Sequence, residues 1–459
     1  MPAFSLDPSQ TAWCAELRDL AAERLRPLAD KGEEGHVNRP LVAELGRLGL
    51  LERLFTSGAF DLCLMRESLA YACTEAETAL ALQGLGAHPV HAHGTRAQRE
   101  RWLPPVAEGS AVAAFALSEP GAGSDAAALE LRAERDAAGR DAVEPDAAGR
   151  GVAGRDAAGP SAVGPADGGP AAAGPSAVQP PDGGSAAAGP SAVEPGGGGS
   201  AAAGLSAAGP GQAPVAESDG SARWRLTGEK CWISNAPEAD FYTVFARTTP
   251  GAGARGVTAF LVPADRPGLT GSGLDMLSPH PIGSLVLDAV PVTAEDVLGE
   301  PDRGFRVAMG TLNLFRPSVG AFAVGMAQAA LDATLAHTAG RDAFGGKLRD
   351  LQTVAHQVAE MALRTEAARL MVYAAATAYD EKAPDVPGRA AMAKLLATET
   401  AQYVVDSAVQ LHGARALRHG HLLEHLYREV RAPRIYEGAS EVQRGIIAKE
   451  LYATMEAGQ

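Results

Sequence analysis

The stretch "LQTVAHQVAEMALRTEAARLMVYAAATAY", residues 351–379, predicts one long helix, because its apolar residues recur at three- and four-residue intervals. Residues 321–339 and 391–413 show the same period. Between residues 242 and 292 the period changes to two, in short runs rich in β-branched and aromatic residues that Gly, Pro and Asp interrupt. Residues 11–86 have the helical period again. The chain is therefore predicted to be helical, then β, then helical.

This order predicts a mainly α protein with a central antiparallel β domain, and it argues against an alternating βαβ chain. We expect an N-terminal helical domain at residues 1–112, the β domain at 113–303 and a C-terminal helical bundle at 304–459. Residues 133–221 interrupt the β domain with Ala, Gly, Pro and Ser, and "AAGPSAV" recurs there every 15 residues. Each repeat offers one valine to a core, so we expect a disordered, low-complexity insertion.

Acidic residues outnumber basic ones, 55 against 40, which gives the 459-residue chain a formal net charge of −15. Such a surface disfavours nucleic acid and anionic membranes as partners. The sequence shows neither a basic leader followed by an apolar run nor a stretch of about 18 apolar residues, so we expect no signal peptide and no membrane span. The four cysteines lack C-x-x-C spacing, which favours a reduced, cytoplasmic protein.

The stretch "AFALSEPGAGSDAAAL", residues 114–129, allows two structural interpretations. Gly121, Gly123 and Ala126 satisfy the G-x-G-x-x-A pattern of a dinucleotide-binding turn between a strand and a helix. Against this, three residues separate the apolar run from the glycines, and low-complexity repeats follow where a strand ending in an acid is needed. A plain glycine-rich turn is the other interpretation.

Histidines cluster in "HPVHAHG", residues 88–94, and in "HGHLLEH", residues 419–425. A zinc site would need a third and a fourth ligand, and no H-E-x-x-H motif or cysteine pair supplies them. We therefore predict no metal site.

Five motifs, taken together and in order, resemble those of the acyl-CoA dehydrogenase family and span essentially the whole chain outside the insertion. They are "AFALSEPGAGSDAAAL", "TGEKCWISNAPEADFYTVFART", "GVTAFLVP", "RDAFGGKLRDLQTVAHQVAEMALRTEAARL" and "RIYEGASEVQRGIIAKEL". The resemblance implies a helical domain, a β domain and a four-helix domain, with non-covalent FAD held between the last two and a neighbouring subunit. It further implies a homotetramer, or less commonly a dimer, that passes electrons to an electron-transferring flavoprotein.

The family converts a saturated acyl thioester into the trans-2-enoyl thioester, while the flavin accepts the β-hydrogen as hydride. The base must be a carboxylate stripped of water, and the enolate oxygen needs donors. The resemblance assigns both the base and one backbone N–H donor to Glu437, in "IYEGAS". Some relatives carry the base just before an Arg-Pro pair, but Leu, Asn, Leu and Phe precede Arg316 here. The residues alone leave open a solvated loop acid ahead of a helix capped by Ser440 and Gln443.

The resemblance also implies contacts to the cofactor and the thioester. Phe115, Leu117 and Ser118 would border the flavin ring, and Trp232 and Ser234 would stack beside it and reach its edge. A core position is the alternative for Trp232, and a solvated surface position is the alternative for Arg341. The remaining implied contacts are those of Arg341, Phe344 and Gln352 with the FAD of the neighbouring subunit, those of Gln410 and Gly413 with its adenine end, and those of Ser124, Arg316 and Gly438 near the thioester or the base.

Departures from the family pattern bear on function. Ala439 and Ala414 stand where the family usually has a hydroxyl residue and a glycine, and Glu441 replaces an often neutral residue, all near the expected FAD. The stretch "SPHPIGSLVLD", residues 278–288, looks more like divergent members that serve biosynthesis and accept carrier-protein thioesters. The alternatives to an acyl-CoA dehydrogenase are an acyl-carrier-protein dehydrogenase, an oxidase, and a non-catalytic binding subunit of the same fold.

Overall fold

The computed structural model describes residues 6–136 and 223–457. Most of the predicted insertion at 133–221, including all its repeats, lies outside these residues. The start of the insertion was predicted too early, because residues 133–135 belong to a strand, Arg132–Arg135. Ala133 pairs with Leu226 and is buried in the sheet core. Pairing with a distant strand therefore places these three residues in the sheet, although low-complexity sequence follows them directly.

The N-terminal helices share one apolar core, in which Leu25, Leu45, Leu51 and Leu80 are fully buried. A left-handed φ of 71° at Gly49, which costs glycine little, divides the predicted helical run at 39–54 into two helices. The helices are α1 (Pro8–Leu20), α2 (Arg26–Ala29), α3 (Arg39–Arg47), α4 (Leu50–Thr56), α5 (Ala59–Ala72), α6 (Thr74–His93) and α7 (Arg96–Ala107).

A sheet follows α7, as the period-two runs predict. Its strands are β1 (Ala113–Ala116), β2 (Arg132–Arg135), β3 (Arg223–Ser234), β4 (Phe241–Arg247), β5 (Val257–Pro263), β6 (Leu269–Gly273), β7 (Ile282–Thr293) and β8 (Val297–Leu298). The strand order is β6-β7-β3-β2-β4-β5-β8, and β1 pairs with β4. Most pairs are antiparallel, but β1 and β2 both run parallel to β4. The β domain was predicted to be antiparallel, and these two pairs are the exceptions. They arise because β1 and β2 lie one after the other along the same edge of β4.

The segment between β1 and β2 decides the dinucleotide-binding interpretation. Glu119 and Ala122 exchange backbone hydrogen bonds in a turn, a single 3-10 turn follows at Ala126–Ala128, and the chain returns to the sheet. No α-helix lies between residues 117 and 131, all of which the structure describes. The turn lacks the helix N-terminus on which a dinucleotide-binding turn holds the pyrophosphate, so the dinucleotide-binding interpretation of Gly121, Gly123 and Ala126 is wrong.

The C-terminal helices form the predicted bundle and complete a mainly α fold with a central β domain. Phe322, Val372 and Val404 lie at its centre, where α5 also packs. The elements are α8 (Gly304–Gly340), β9 (Asp342–Ala343), β10 (Gly346–Lys347), α9 (Gln352–Asp380), α10 (Val386–His412), α11 (Leu422–Glu429) and α12 (Ser440–Ala457).

Among the helices of the described ranges, α8 is long and apolar enough to cross a membrane, judged by length and composition alone. No such stretch was expected from the sequence. Within its most apolar window, 72% of the residues are buried inside the protein, because the helix packs against α5, α9 and α10. Burial in a helical core is sufficient to explain this composition.

Gly325 marks the crossing of α8 and α5, since a Cβ there would lie 2.4 Å from the backbone oxygen of Glu67. Gly325→Ala should therefore lower the free energy of unfolding by about 1–3 kcal/mol, measured by denaturant titration. Gly310→Ala in the same helix is the control, because nothing lies within 4 Å of a Cβ at that position. That variant should be neutral or more stable by up to about 1 kcal/mol. Equal losses in both variants would contradict a special role for the crossing.

Candidate active site

One cavity of about 590 Å³ lies where α6, α8, the ends of β1 and β3, and the loop before α12 meet. We call it the central cavity. Apolar side chains such as Leu82, Leu85, Met309 and Leu312 form much of its lining. The cavity also brings together nine predicted site residues that are distant in sequence: Phe115, Leu117, Ser118, Ser124, Trp232, Ser234, Arg316, Glu437 and Gly438.

A bulge in β3 turns Trp232 into the central cavity. The pairing of β3 with β7 shifts between Lys230 and Ile233, and Trp232 has a left-handed φ of 61°. Because the bulge shifts the alternation of side chains by one residue, Trp232 is 54% exposed although Lys230, two residues earlier in the strand, is fully buried. The core interpretation of Trp232 is therefore wrong. Its indole offers a flat apolar face to an aromatic ligand.

A buried ion pair holds the end of β1 against β3. Lys230 Nζ donates to the Leu117 carbonyl at 2.9 Å and to Glu119 Oε1 at 2.8 Å. The Glu119 carboxylate also accepts from the backbone N–H groups of Glu130 and Leu131, at 2.6 and 3.0 Å. The segment after β1 is thus fixed beside Trp232. This pair was not predicted from the sequence, although a lysine inside a β-like run was an available signal.

Three side chains hold the peptide of Glu437 and Gly438. Arg316 Nε and Gln443 Nε2 donate to the Glu437 carbonyl at 3.2 and 3.1 Å. Lys394 Nζ donates to the Gly438 carbonyl at 2.7 Å. Glu437 itself has a left-handed φ of 51°. A non-glycine residue in this region is strained, and strain of this kind is concentrated at functional sites.

The predicted capping box of α12 is not formed. Ser440 Oγ donates to Glu399 Oε1 at 2.6 Å instead of accepting from the helix. The Gln443 side chain donates to the carbonyls before the helix, and its backbone N–H donates to the Ala439 carbonyl at 3.0 Å. The prediction is wrong because both side chains are used in contacts that fix the Glu437 loop, and Ala439 takes the cap position.

The Glu437 carboxylate is poorly compensated. Its Oε2 atom is buried and has no hydrogen-bond partner among the described residues. Burial raises the pKa of Glu437, and the charges of Arg66, Lys394 and Arg316 act against that rise. An acid on a solvated loop would keep its oxygens in water, so that alternative does not fit the structure.

Two buried charged residues near Glu437 were not predicted from the sequence as site residues. Arg66 on α5 and Glu77 on α6 line the central cavity, form an ion pair, and are exposed by only 3% and 1%. Arg66 Nη1 also donates to Ser318 Oγ at 2.7 Å. For Arg66 the available signal was its position within an apolar helical run, "LCLMRESLAY", because charged residues are seldom buried without a partner.

Five predicted cofactor residues do not line the central cavity and lie exposed on the protein surface: Arg341, Phe344, Gln352, Gln410 and Gly413. Phe344 is 89% exposed, with a left-handed φ of 53°. The rings of His337 and His412 stack 4.1 Å apart, which brings the segments of Arg341 and Gly413 together. Their assignment to the cofactor of a neighbouring subunit stays a prediction.

Glu437→Gln should make the stability of the protein less dependent on pH. Because the pKa of Glu437 is raised on folding, its contribution to stability is complete below the unfolded value of about 4.3 and is lost as the pH rises through the folded value. The neutral variant should therefore be more stable than the wild type at neutral pH, by about 1–3 kcal/mol. The difference should shrink towards about pH 4. Thermal unfolding across this range tests it, and a difference that grows in acid would contradict it.

Three family models match most of the chain. The acyl-CoA dehydrogenase N-terminal domain matches residues 7–110, the middle domain matches residues 191–290, and the C-terminal domain matches residues 302–452. The matches follow the order of helical, β and helical segments that the structure shows.

Individual proteins agree with the family models. The mitochondrial short-chain specific acyl-CoA dehydrogenase of Bos taurus is 30% identical over 446 residues, which cover 95% of this chain and 88% of that protein. A probable acyl-CoA dehydrogenase of Mycobacterium tuberculosis is 38% identical over 239 residues, 51% of this chain and 61% of that protein. The butyryl-CoA dehydrogenase structure from Megasphaera elsdenii has a TM-score of 0.75 at 26% identity, covering 98% of this chain and 99% of that one. The chain therefore belongs to the acyl-CoA dehydrogenase family of flavin-dependent oxidoreductases.

Proposed function

We propose that this enzyme catalyses the FAD-dependent α,β-dehydrogenation of an acyl thioester, from acyl-CoA to trans-2-enoyl-CoA, with Glu437 as the α-proton base. One observation carries the proposal: Glu437 Oε2 is buried without a partner, in the same cavity as the exposed face of Trp232. Burial of a carboxylate oxygen away from water and from hydrogen-bond donors makes the group a stronger base than it is in solution.

Competition among the acids of the central cavity favours Glu437. Among the described residues, Glu77 and Asp125 are the other acids that line it. Glu77 forms an ion pair with Arg66, and Asp125 is exposed to solvent on the loop between β1 and β2. On α8 the segment before Arg316 offers Asn313 rather than an acid, consistent with a base on the loop before α12.

The backbone of Glu437 can meet the second need of the reaction, which is to stabilise the enolate oxygen. Its N–H has no acceptor among the described residues and can donate to the thioester carbonyl. Arg316 and Gln443 fix the carbonyl of the same residue, and Lys394 fixes the next one. Base and donor therefore belong to one residue, whose loop is held before the substrate arrives.

The residues at the ends of β1 and β3 fit a flavin. Trp232 supplies an exposed indole face, Phe115 and Leu117 supply apolar contacts, and Ser118 and Ser234 supply hydroxyl groups for the polar ring edge. Bound here, FAD would supply an acceptor for the β-hydrogen as hydride. The aliphatic lining of α6 and α8 would exclude water, which protects both the basicity of Glu437 and the reduced cofactor.

The proposal extends to a homotetramer, or a dimer, in which a neighbouring subunit completes the cofactor site. Support comes from the exposure of Phe344 and from its neighbours in sequence, Arg341 and Gln352, which are also exposed and do not line the central cavity. Aromatic side chains are enriched at the interfaces between protein subunits. A cytoplasmic location and an electron-transferring flavoprotein as electron acceptor belong to the same proposal, on the strength of the family resemblance.

The purified protein should be yellow and should bleach when a suitable acyl-CoA is added without oxygen, which a visible spectrum measures. Glu437→Gln should slow bleaching by about 10³-fold and leave the flavin bound, because the base is lost and the cavity keeps its shape. Glu456→Gln, at the exposed end of α12, is the matched control and should bleach like the wild type.

Three outcomes of this experiment separate the alternatives. Bleaching only with acyl-carrier-protein thioesters would replace CoA as the carrier in the proposal. Bleaching of Glu437→Gln at the wild-type rate would contradict the assigned base. A colourless protein that cannot be loaded with FAD would overturn the proposed reaction in favour of a non-catalytic binding subunit.

Phe344→Ala should weaken flavin binding about tenfold, because an exposed aromatic side chain at a ligand contact commonly contributes more than 1 kcal/mol. The measurement is flavin release on dilution, followed by fluorescence. Leu363→Ala is the control, because Leu363 is also an exposed apolar residue, at 64%, and no cofactor role is predicted for it. Equal flavin release from both variants would contradict the assignment of Phe344.

A further inference from the structure

A second cavity, of about 750 Å³, lies against the central cavity, and we call it the adjacent cavity. Its lining mixes charged and aliphatic side chains, among them Arg26, His36, Leu41, Glu75 and His425. Four residues line both cavities and form the wall between them: Thr78, Leu82, His280 and Arg428. The proposed reaction gives none of these four residues a role.

One helix, α6, runs along both spaces. Glu75 and Ala79 line only the adjacent cavity, and Ala81 and Leu85 line only the central cavity. Leu82 lies between these two groups and lines both. These positions lie on two neighbouring faces of α6, with Leu82 at their border, so the wall runs along the helix, and the rigid helix fixes this side of the central cavity.

His280 faces this helix from the loop before β7. It belongs to the stretch "SPHPIGSLVLD", which differs from the usual family sequence. The carbonyls of Pro279 and Pro281, on either side, each accept a backbone hydrogen bond, at 3.2 and 2.8 Å. The His280 ring contacts Glu429 through Nε2 at 2.6 Å, and the two side chains are exposed by only 11% and 0%. Backbone and side chain are both anchored, so the ring is a fixed part of the wall.

We infer that His280, with Leu82 opposite, closes the acyl end of the central cavity and restricts the enzyme to short acyl chains. The inference rests on the proposed function, because it takes the acyl group to lie in the central cavity. Thioester, acyl chain and flavin ring must share about 590 Å³. A longer chain would have to displace a ring that a buried carboxylate and two backbone hydrogen bonds hold.

Removing the His280 ring should join the two cavities. The experiment compares butanoyl-, octanoyl- and dodecanoyl-CoA as substrates of the wild-type holoenzyme and of His280→Ala, by anaerobic bleaching and by kcat/KM with an artificial acceptor. The wild type should prefer butanoyl-CoA. In His280→Ala the ratio of kcat/KM for dodecanoyl-CoA to that for butanoyl-CoA should rise about tenfold or more. His280→Phe restores bulk without the imidazole and should keep the short-chain preference.

Two further variants guard against a folding defect, because His280→Ala leaves Glu429 buried without its partner. Leu82→Ala opens the same wall from α6 with the ion pair intact, and should also raise the ratio. His36→Ala changes only the adjacent cavity and should keep the wild-type ratio. A wild type that prefers dodecanoyl-CoA, or an unchanged ratio in folded Leu82→Ala and His280→Ala, would overturn the inference. A wild type that no acyl-CoA bleaches would instead overturn the proposed function.

Discussion

The proposed role of Glu437 as a base requires that its carboxylate lose contact with water without forming an ion pair, and the surrounding structure meets both requirements. Arg66, Lys394 and Arg316 lie close enough to act on the pKa of Glu437, but none of them donates a hydrogen bond to Oε2. Arg66 donates instead to Glu77 and Ser318. Arg316 donates to the Asn313 side chain and the Glu437 carbonyl, and Lys394 donates to the Gly438 carbonyl. A direct ion pair would lower the pKa of the base and weaken it. Nearby cations that are already engaged instead limit the cost of burying a negative charge.

Periodicity predicted the mainly α fold with a central β domain because the buried positions follow it. In α9, for example, Val354, Met361 and Ala368 recur at seven-residue intervals and are all buried. The failures arise where the partner is distant in sequence. Ala133 joins the sheet by pairing with Leu226, on the far side of the insertion, so its repeat-like neighbours were misleading. The parallel pairing of β1 with β4 likewise involves two strands that are distant in sequence, so the local pattern of β1 could not predict it.

The candidate site was predictable to the extent that its motifs are local. Glu437 and Ser118 were found in short motifs, and the structure places both on the central cavity. Their functional roles stay predictions. The orientation of Trp232 depends on a bulge that alternation cannot anticipate. Arg66 and Glu77 were missed for a related reason: each looks like an isolated charge in its own helix, and their pairing exists only once α5 and α6 are packed.

The helix α6 connects the sides of the central cavity. Glu77 on its second turn holds Arg66, the strongest of the charges acting on Glu437. Leu82 forms the wall at the proposed acyl end, and the buried Gln83 beside it ties the helix to β1, donating at 2.7 Å and accepting at 2.8 Å. These residues lie within two turns of one helix. Helix geometry rather than loop conformation therefore sets the distances between the surroundings of Glu437, the proposed acyl end of the cavity and the end of β1, where the flavin is proposed to bind. A substitution that shifts α6 should therefore disturb all three together, whereas one in the Glu437 loop should disturb the base alone.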